Sequence, residues 1–471
     1  MNTLALHYAI IVFLTWFLAW VVRPFRAREL LYLFASYILY ATWGLPFLGL
    51  LVFSSVMNYA FGIWLRRRLS PARLWVSIVF NVTLLGVFKY APGLAAFAFK
   101  HSSFGASLAR IALPVGISFW TFQAISYLFD IYREEELDPS LLEFCLYMAF
   151  WPTVLSGPIC RLGNLLPQFR QEFVPRREDL SVSFDRIFLG LFMTALAEMM
   201  GAGIHLGQGI DAAFASTATK WGGADVWCLA IGYGFLLFFN FAGYSHIVIG
   251  AARLFGIRLD ENFSRPYAST TPSIFWTRWH MSLSSWIRDY LFSPLATVRR
   301  EVWWRNLALV ISMFIFGLWH KGSVLFAIWG LYQGVLLVLH RQWQQFQRWS
   351  DFQWPQYLAT PVCWAATFAA ISFGWIFFRA SDLQQSVAMV AAVFTPATYG
   401  QHFLPPSLYL LIVVFIVGYF VSIALLRVSR GQMEGICAGL PIEIRFALYG
   451  GMFYLAVLHN TQPQQFIYSQ F

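Results

Sequence analysis

One apolar run after another, each nearly free of charge, fixes most of what this chain can become. The runs are Ile10 to Val22, Leu30 to Tyr40, Leu45 to Trp64, Leu74 to Phe88, Leu141 to Leu155, Val226 to Phe241, Leu325 to Leu339, Val362 to Phe378, Leu408 to Leu425 and Phe446 to Leu458. A soluble core does not need them. The chain is 59% hydrophobic and 11% charged, against about 45–50% and about 25% in ordinary soluble domains. A bilayer does need them, because a helix crosses its hydrocarbon in about 20 apolar residues. The expectation is an all-α polytopic membrane protein of about 11 transmembrane helices, with the shorter runs tilted, re-entrant or extended by their flanks. No long linker or low-complexity tract divides the chain, so residues 1–471 are expected to form one domain with a motif-bearing core at about 113–340.

Charge is sparse and informative. The first run leads into Arg23, Arg26 and Arg28 with no basic segment before it and no small-residue cleavage site, so no signal peptide is expected. Positive charge in short loops stays cytoplasmic, which places Arg23–Arg28 and Arg66–Arg68 inside and the Trp43-Gly44 turn outside. The formal charge of +10 fits such loops, or a basic entrance for a phosphorylated substrate or anionic lipid. Cys145, Cys160, Cys228, Cys363 and Cys437 lie far apart without a CxxC or Cys/His cluster, so neither a disulfide framework nor a metal site is indicated.

Three polar stretches, Arg133 to Ser140, Arg161 to Asp185 and Asp260 to Ser273, are each long enough for an interfacial or re-entrant helix. After the third, Thr271-Pro272 offers a helix start, threonine as N-cap and proline at the first helical position. A helix continuing to Tyr290 would gather Phe275, Trp276, Trp279, Leu283, Trp286, Ile287 and Tyr290 on one apolar face. It would set His280, Ser284 and Arg288 in a stripe at i, i+4 and i+8. Such a helix suits the headgroup level, where His280 would be an anchor's hydrogen-bonded side chain. It equally suits a working imidazole, since ionisable groups in apolar surroundings are costly.

A second histidine poses the same choice. From Leu307 to His340 the chain is nearly all apolar, interrupted only at His320-Lys321-Gly322-Ser323. One helix of that length would measure about 50 Å, too long for a core of about 30 Å. The chain must turn or break near Gly322. Either His320 sits wet on a surface hairpin, or it marks a broken helix lining a cavity. A neutral imidazole in a water-poor place can take a proton from a hydroxyl and return it to a leaving group, or accept an acyl group itself. No GxSxG elbow, P-loop lysine motif, HExxH or dinucleotide fingerprint offers another chemistry. A transporter of an activated sugar, lipid or small molecule, with its site at the break, is the alternative, although only one interrupted segment is visible. A scaffold without chemistry is a third reading.

Ordered motifs carry the argument further. They begin with Leu113-Pro114-Val115-Gly116-Ile117-Ser118-Phe119-Trp120-Thr121-Phe122-Gln123, Ser156-Gly157-Pro158-Ile159-Cys160-Arg161 and Phe241-Ala242-Gly243-Tyr244-Ser245. Asn262-Phe263-Ser264-Arg265-Pro266-Tyr267, Arg278-Trp279-His280-Met281-Ser282-Leu283-Ser284, Gly317-Leu318-Trp319-His320 and a terminal Phe466-Ile467-Tyr468-Ser469-Gln470-Phe471 follow. In that order they resemble the membrane-bound O-acyltransferase (MBOAT) superfamily, in its bacterial polysaccharide O-acetyltransferase branch, from roughly Leu30 to the end.

The resemblance implies a fold of membrane helices around a central tunnel, with His320 as the catalytic histidine and His280 as the second residue assisting or orienting transfer. Tyr244, Ser245, Asn262, Ser284 and Arg288 become candidates for the tunnel wall, Arg288 as a contact to the donor's phosphates. The implied donor is a cytoplasmic thioester, acetyl-CoA or alternatively an acyl-carrier protein, with no bound cofactor. The acceptor is a hydroxyl of an exported cell-surface polysaccharide, reached with a periplasmic acetyltransferase partner, from a bacterial inner membrane. The lipid bilayer is the other partner, and no nucleic acid is expected. His246, where many relatives of the alginate type carry an acid, departs from the pattern and has no implied role.

Overall fold

The computed structural model describes residues 3–22, 24–98, 112–172, 176–203, 209–216, 220–350, 355–428 and 441–459. The terminal motif from Phe466 and Cys437 lie outside them. Among the described residues the regular structure is helical, and eight helices are long and apolar enough to cross a membrane. They are Leu45–Arg67, Pro71–Lys89, Arg177–Ala202, Gly223–Leu254, Val302–His320, Val324–Ser350, Gln356–Arg379 and the 406–425 stretch of the helix that starts at Pro406. Ala9–Val21 and Leu383–Phe394 are shorter apolar helices.

Two of the sequence expectations are corrected. Leu141 to Leu155 does not cross anything as one helix: it folds as Leu141–Ala149 and Trp151–Val154, broken at Phe150 just before Pro152. Pro152 has no amide to donate to the preceding turn and its ring clashes with the carbonyl four residues back, so the first helix stops and Pro152 falls in the first turn of the next one. Conversely, Arg177–Ala202 is a 26-residue helix whose charged start hid an apolar continuation.

The chain forms two compact units, one of residues 1–187 and 248–260, the other of 188–247 and 261–471. The first unit is knit by polar groups sunk between helices. Asn58 and Asn81, both fully buried, exchange amide hydrogen bonds at 3.1 and 2.6 Å across Leu45–Arg67 and Pro71–Lys89. Unpaired amides would be expensive in an apolar core, so this reciprocal pair fixes helix register as well as closing the packing. Ser140 and Glu143 form a capping box at the start of Leu141–Ala149, and Arg170 closes on Glu143 at 2.5 Å. The Leu113–Gln123 motif starts a helix here: Gly116 adopts φ +75° against the Val154 carbonyl and opens Ile117–Tyr132, which is buried on nearly every face.

The second unit is built around a hairpin, Val302–His320 followed by Val324–Ser350, turning at residues 321–323. The overlong apolar run therefore turns, as its length requires. The two helices touch backbone to backbone: a Cβ at Gly317 would strike the Phe326 carbonyl and lie 3.0 Å from the Gly330 Cα. Only small residues allow that approach, the usual device where lipid supplies no hydrophobic drive between helices. The hairpin holds the end of its first helix, His320, against the second.

Candidate active site

The stretch that a continuous helix would occupy from Pro272 to Tyr290 is folded differently, and the difference makes the site. Thr271 caps the start as expected, its Oγ1 accepting from the Ile274 N–H at 3.1 Å, but Pro272–Trp276 ends after five residues. The chain then turns, and His280 stands in the left-handed region (φ 43°, ψ 55°) as the residue before a second helix, Met281–Trp286. A third element, Ile287–Phe292, is wound as a π-helix. The i, i+4, i+8 stripe is thus lost as a helical face. Ser284 still meets His280, but through its backbone N–H donating to the His280 carbonyl at 2.9 Å.

The cause of the break lies upstream. The Met281 N–H donates to the Asn262 carbonyl at 2.8 Å, and the Ser264 N–H to the Arg278 carbonyl at 3.0 Å. These two bonds bracket His280 and take over groups that a continuous helix would have used internally. The Asn262 side chain completes the anchor: its Nδ2 donates to Ser245 Oγ at 3.1 Å, and its Oδ1 accepts from Ser282 Oγ at 2.6 Å. Asn262 is fully buried. A left-handed non-glycine residue costs about 1 kcal/mol or more and persists only where its surroundings overdetermine it. Here they do.

The His280 ring is 1% exposed and lies edge-to-face with Phe241 at 4.6 Å. Burial pushes its pKa down to about 3, so the imidazole is neutral at physiological pH. The surrounding face of Phe275, Trp276, Trp279, Leu283, Trp286, Ile287 and Tyr290 is entirely buried. An interfacial anchor would leave it in contact with lipid, so that reading is set aside.

His320 is held by other means. It is the last residue of its helix and 2% exposed, whereas Lys321 and Gly322 after it are exposed. The turn is wet but the histidine is not. Its ring sits among Trp319 at 4.7 Å, Phe316 at 4.8 Å, Phe378 at 5.1 Å and Trp329 at 5.4 Å. A continuous set of ring contacts joins the two histidines: His280 to Phe241, Phe263, Trp279, Trp375, Trp329 and His320, each pair within 4.6 to 6.2 Å.

Next to this cluster is an apolar cavity of about 200 Å³, lined by Trp276, Ser284, Ile287, Arg288, Phe292, Leu309, Ser312, Met313, Phe316 and Leu337. Phe316 is shared between cavity wall and His320 box. The structure therefore sorts the sequence candidates. Ser284 and Arg288 line the cavity, Arg288 with an ion pair to Asp289 at 2.7 Å. Ser245 and Asn262 belong to the bracket around His280. Tyr244 and His246 are buried on the Gly223–Leu254 helix. Sequence reasoning missed Ser282 and the ring box of Phe316, Trp329, Trp375 and Phe378; the one available signal was Trp and Phe crowding at the ends of the runs flanking His320.

The geometry so far is of two buried imidazoles, that of His320 next to an apolar cavity through the shared ring of Phe316. The sequence profile of the membrane-bound O-acyltransferase family matches residues 30–381, which contain all of it. This chain is a membrane-bound O-acyltransferase. Curated relatives agree. The probable alginate O-acetylase AlgI of Azotobacter vinelandii is 33% identical over 384 residues, covering 79% of this chain and 74% of that protein. That of Pseudomonas aeruginosa is 33% identical over 386 residues, 79% and 71%. The peptidoglycan O-acetyltransferase of Helicobacter pylori is 32% identical over 389 residues, 76% and 72%. As a member of this family the chain is a multi-pass membrane protein and an O-acyltransferase, and the transporter and scaffold readings fall away.

Proposed function

We propose that the whole chain acts as one acyltransferase, passing an acetyl or other short acyl group from a cytoplasmic thioester to a hydroxyl on an exported cell-surface polysaccharide. The acceptor class rests on relatives named for alginate and peptidoglycan O-acetylation. The observation that carries the chemistry is His320, buried at a helix end and separated by the single ring of Phe316 from an apolar cavity.

His320 is the catalytic residue of this proposal. Its imidazole takes the proton of the acceptor hydroxyl as that oxygen attacks the thioester carbonyl. The carbon–sulfur bond then breaks, and the departing thiolate receives the proton. Water excluded by the ring box cannot intercept the thioester. His280, neutral and locked at its backbone, is a positioning residue that orients the reacting groups. Ser245 and Asn262 fix it, and Ser284 and Arg288 shape the cavity approach; Tyr244 is proposed for the tunnel wall. Acetyl-CoA is the proposed donor, no cofactor is bound, and only the acyl group crosses, so the charged remainder of the donor stays out of hydrocarbon. The setting is a bacterial inner membrane, with a periplasmic acetyltransferase partner completing modification of the polymer.

The test is sidedness. Vesicles containing the oriented protein receive labelled acetyl-CoA on one face and an oligosaccharide acceptor on the other. Label is expected on the acceptor of the far face with wild-type protein and not with His320→Ala. Transfer that requires both substrates on the same face would contradict the proposal.

A further inference from the structure

The apolar cavity that Phe316 shares with the His320 box has four polar side chains in its wall, and three are committed elsewhere. Ser284 Oγ donates to the Trp279 carbonyl at 2.9 Å and Ser312 Oγ to the Ala308 carbonyl at 2.7 Å. Arg288 gives Nε and Nη2 to the Asp289 carboxylate at 2.7 and 3.2 Å, with its side chain 64% exposed. The fourth is Trp276, 8% exposed, whose Nε1–H has no hydrogen-bond partner among the described residues. A buried indole N–H usually finds an acceptor, and leaving it without one in an apolar core costs free energy. A hydrocarbon ring could make the same ring contacts without that cost, so a tryptophan here points to an acceptor that arrives with a ligand. The Nε1–H of Trp329 is likewise unpaired, but Trp329 packs in the ring box and does not line the cavity.

The fold also carries this donor toward the chemistry. On one continuous helix Trp276 and His280 would stack at i and i+4. The break after Trp276 parts them. His280 meets Phe241 at 4.6 Å, whereas Trp276 packs on Phe316 at 5.5 Å and on Trp329 at 6.0 Å. Both of those rings touch His320, at 4.8 and 5.4 Å. Trp276 therefore belongs to the cavity wall and, through two rings, to the surroundings of His320.

We propose that Trp276 Nε1–H donates to the carbonyl oxygen of the acyl thioester, fixing the reacting carbon at the His320 end of the cavity and stabilising the charge that gathers on that oxygen during transfer. The proposal rests on the acyl-transfer reading above and adds a second group that acts on the reacting atoms.

The step balances as follows from the chemistry already assigned to His320. The acceptor oxygen bonds to the carbonyl carbon, its proton passes to the imidazole, and the carbon–oxygen π pair moves onto the carbonyl oxygen. The indole can only donate; it keeps its proton and stabilises the oxyanion without protonating it. The pair then re-forms the double bond, the carbon–sulfur bond breaks, and the thiolate leaves with the proton from the imidazolium. A fixed donor is worth most where water is excluded and the dielectric is low, which describes this apolar wall. A few placed polar groups in an otherwise apolar pocket are also what orients a ligand.

The test replaces Trp276 in the purified full-length protein with β-(3-benzothienyl)alanine, which keeps the fused ring but has sulfur in place of N–H, and in parallel makes Trp276→Phe. Single-turnover acetyl transfer should fall by about 10²–10³-fold in both. Affinity for desulfo-CoA, which cannot react and lacks the thioester carbonyl, should stay within about twofold, and thermal unfolding of the benzothienyl variant should match wild type. Infrared difference spectra of bound acetyl-CoA, isotope-labelled at the carbonyl and without acceptor, should show a lowered carbonyl stretch in wild type that the benzothienyl variant loses. Transfer at the wild-type rate by the benzothienyl variant, with loss confined to Trp276→Phe, would overturn the proposal in favour of ring packing. A loss of desulfo-CoA affinity as large as the loss of rate would overturn it too, by placing the N–H on another part of the donor. A Trp276-dependent carbonyl shift in a protein that transfers no acetyl would sustain the hydrogen bond and sink the acyl-transfer reading instead.

Discussion

His280 and His320 are both buried, yet they are held in opposite ways. His280 is fixed through its backbone, by the Met281-to-Asn262 and Ser264-to-Arg278 hydrogen bonds and by an asparagine whose side chain bridges Ser245 and Ser282. His320 ends an unbroken helix and is walled by rings. Directional bonds confine a residue to one conformation, at the cost of a strained backbone. Ring packing excludes water and lowers the local dielectric, while leaving the chemistry to the imidazole. The contrast explains why the two similar residues divide the proposed work, one positioning and one reacting.

Each mode of support can be broken separately. Removing a ring from the box should have the largest effect. Trp329, 1% exposed, contacts His320, Phe316, Phe378 and Trp276, so Trp329→Ala is expected to cost about 3–5 kcal/mol. Thermal unfolding in detergent should show the loss. An unchanged midpoint would mean that the box is not packed.

The bracket around His280 should be the next most sensitive. Asn262→Ala removes the buried hydrogen bonds to the Ser245 and Ser282 hydroxyls and is expected to cost about 1–3 kcal/mol. It should also lower kcat for acyl transfer more than it changes donor KM, because the cavity wall is untouched. A pure KM effect would show that Asn262 serves binding rather than His280.

Smaller still is the effect that reports backbone strain directly. At φ 43° glycine is more comfortable than alanine, so His280→Gly should be more stable than His280→Ala by about 1 kcal/mol. The reverse order, usual in helices, would restore the continuous helix.

The last contrast is in pH, and its size depends on how far below pH 6.5 stability is measured. Folded His280 resists protonation down to about pH 3, whereas unfolded imidazole titrates near 6.5. Between those values the unfolded chain binds the extra proton, so stability falls as pH drops from about 6.5 toward 3. His280→Gln should flatten that slope in pH-dependent unfolding; an unaltered slope would mean that the ring is solvated.

These same particulars show what could be read from the chain beforehand. Most spans were legible because lipid demands long charge-free runs and nothing in tertiary packing can replace them. Arg177–Ala202 was not, since Arg177, Glu178, Asp179, Asp185 and Arg186 lower the apparent hydropathy of a helix whose remainder is apolar. Both histidines stood out by their cost in apolar surroundings. The break at His280 did not, because helical periodicity runs straight through residues 272–290, and the competing hydrogen bonds come from residues 262 and 264, more than a turn away in sequence. The cavity wall was equally hidden: Leu337 joins Leu309, Ser312 and Met313 only through the folding back of the hairpin.

The central claim is that His320 performs acyl transfer and His280 positions the reacting groups. Its most direct test is single-turnover transfer of labelled acetyl from acetyl-CoA to a hydroxyl acceptor by purified wild-type, His320→Ala and His280→Gln proteins, with desulfo-CoA affinity measured on each. The account predicts a fall of about 10²–10⁴-fold for His320→Ala, a lesser fall for His280→Gln, and donor affinity retained in both. Transfer by well-folded His320→Ala at the wild-type rate would contradict it.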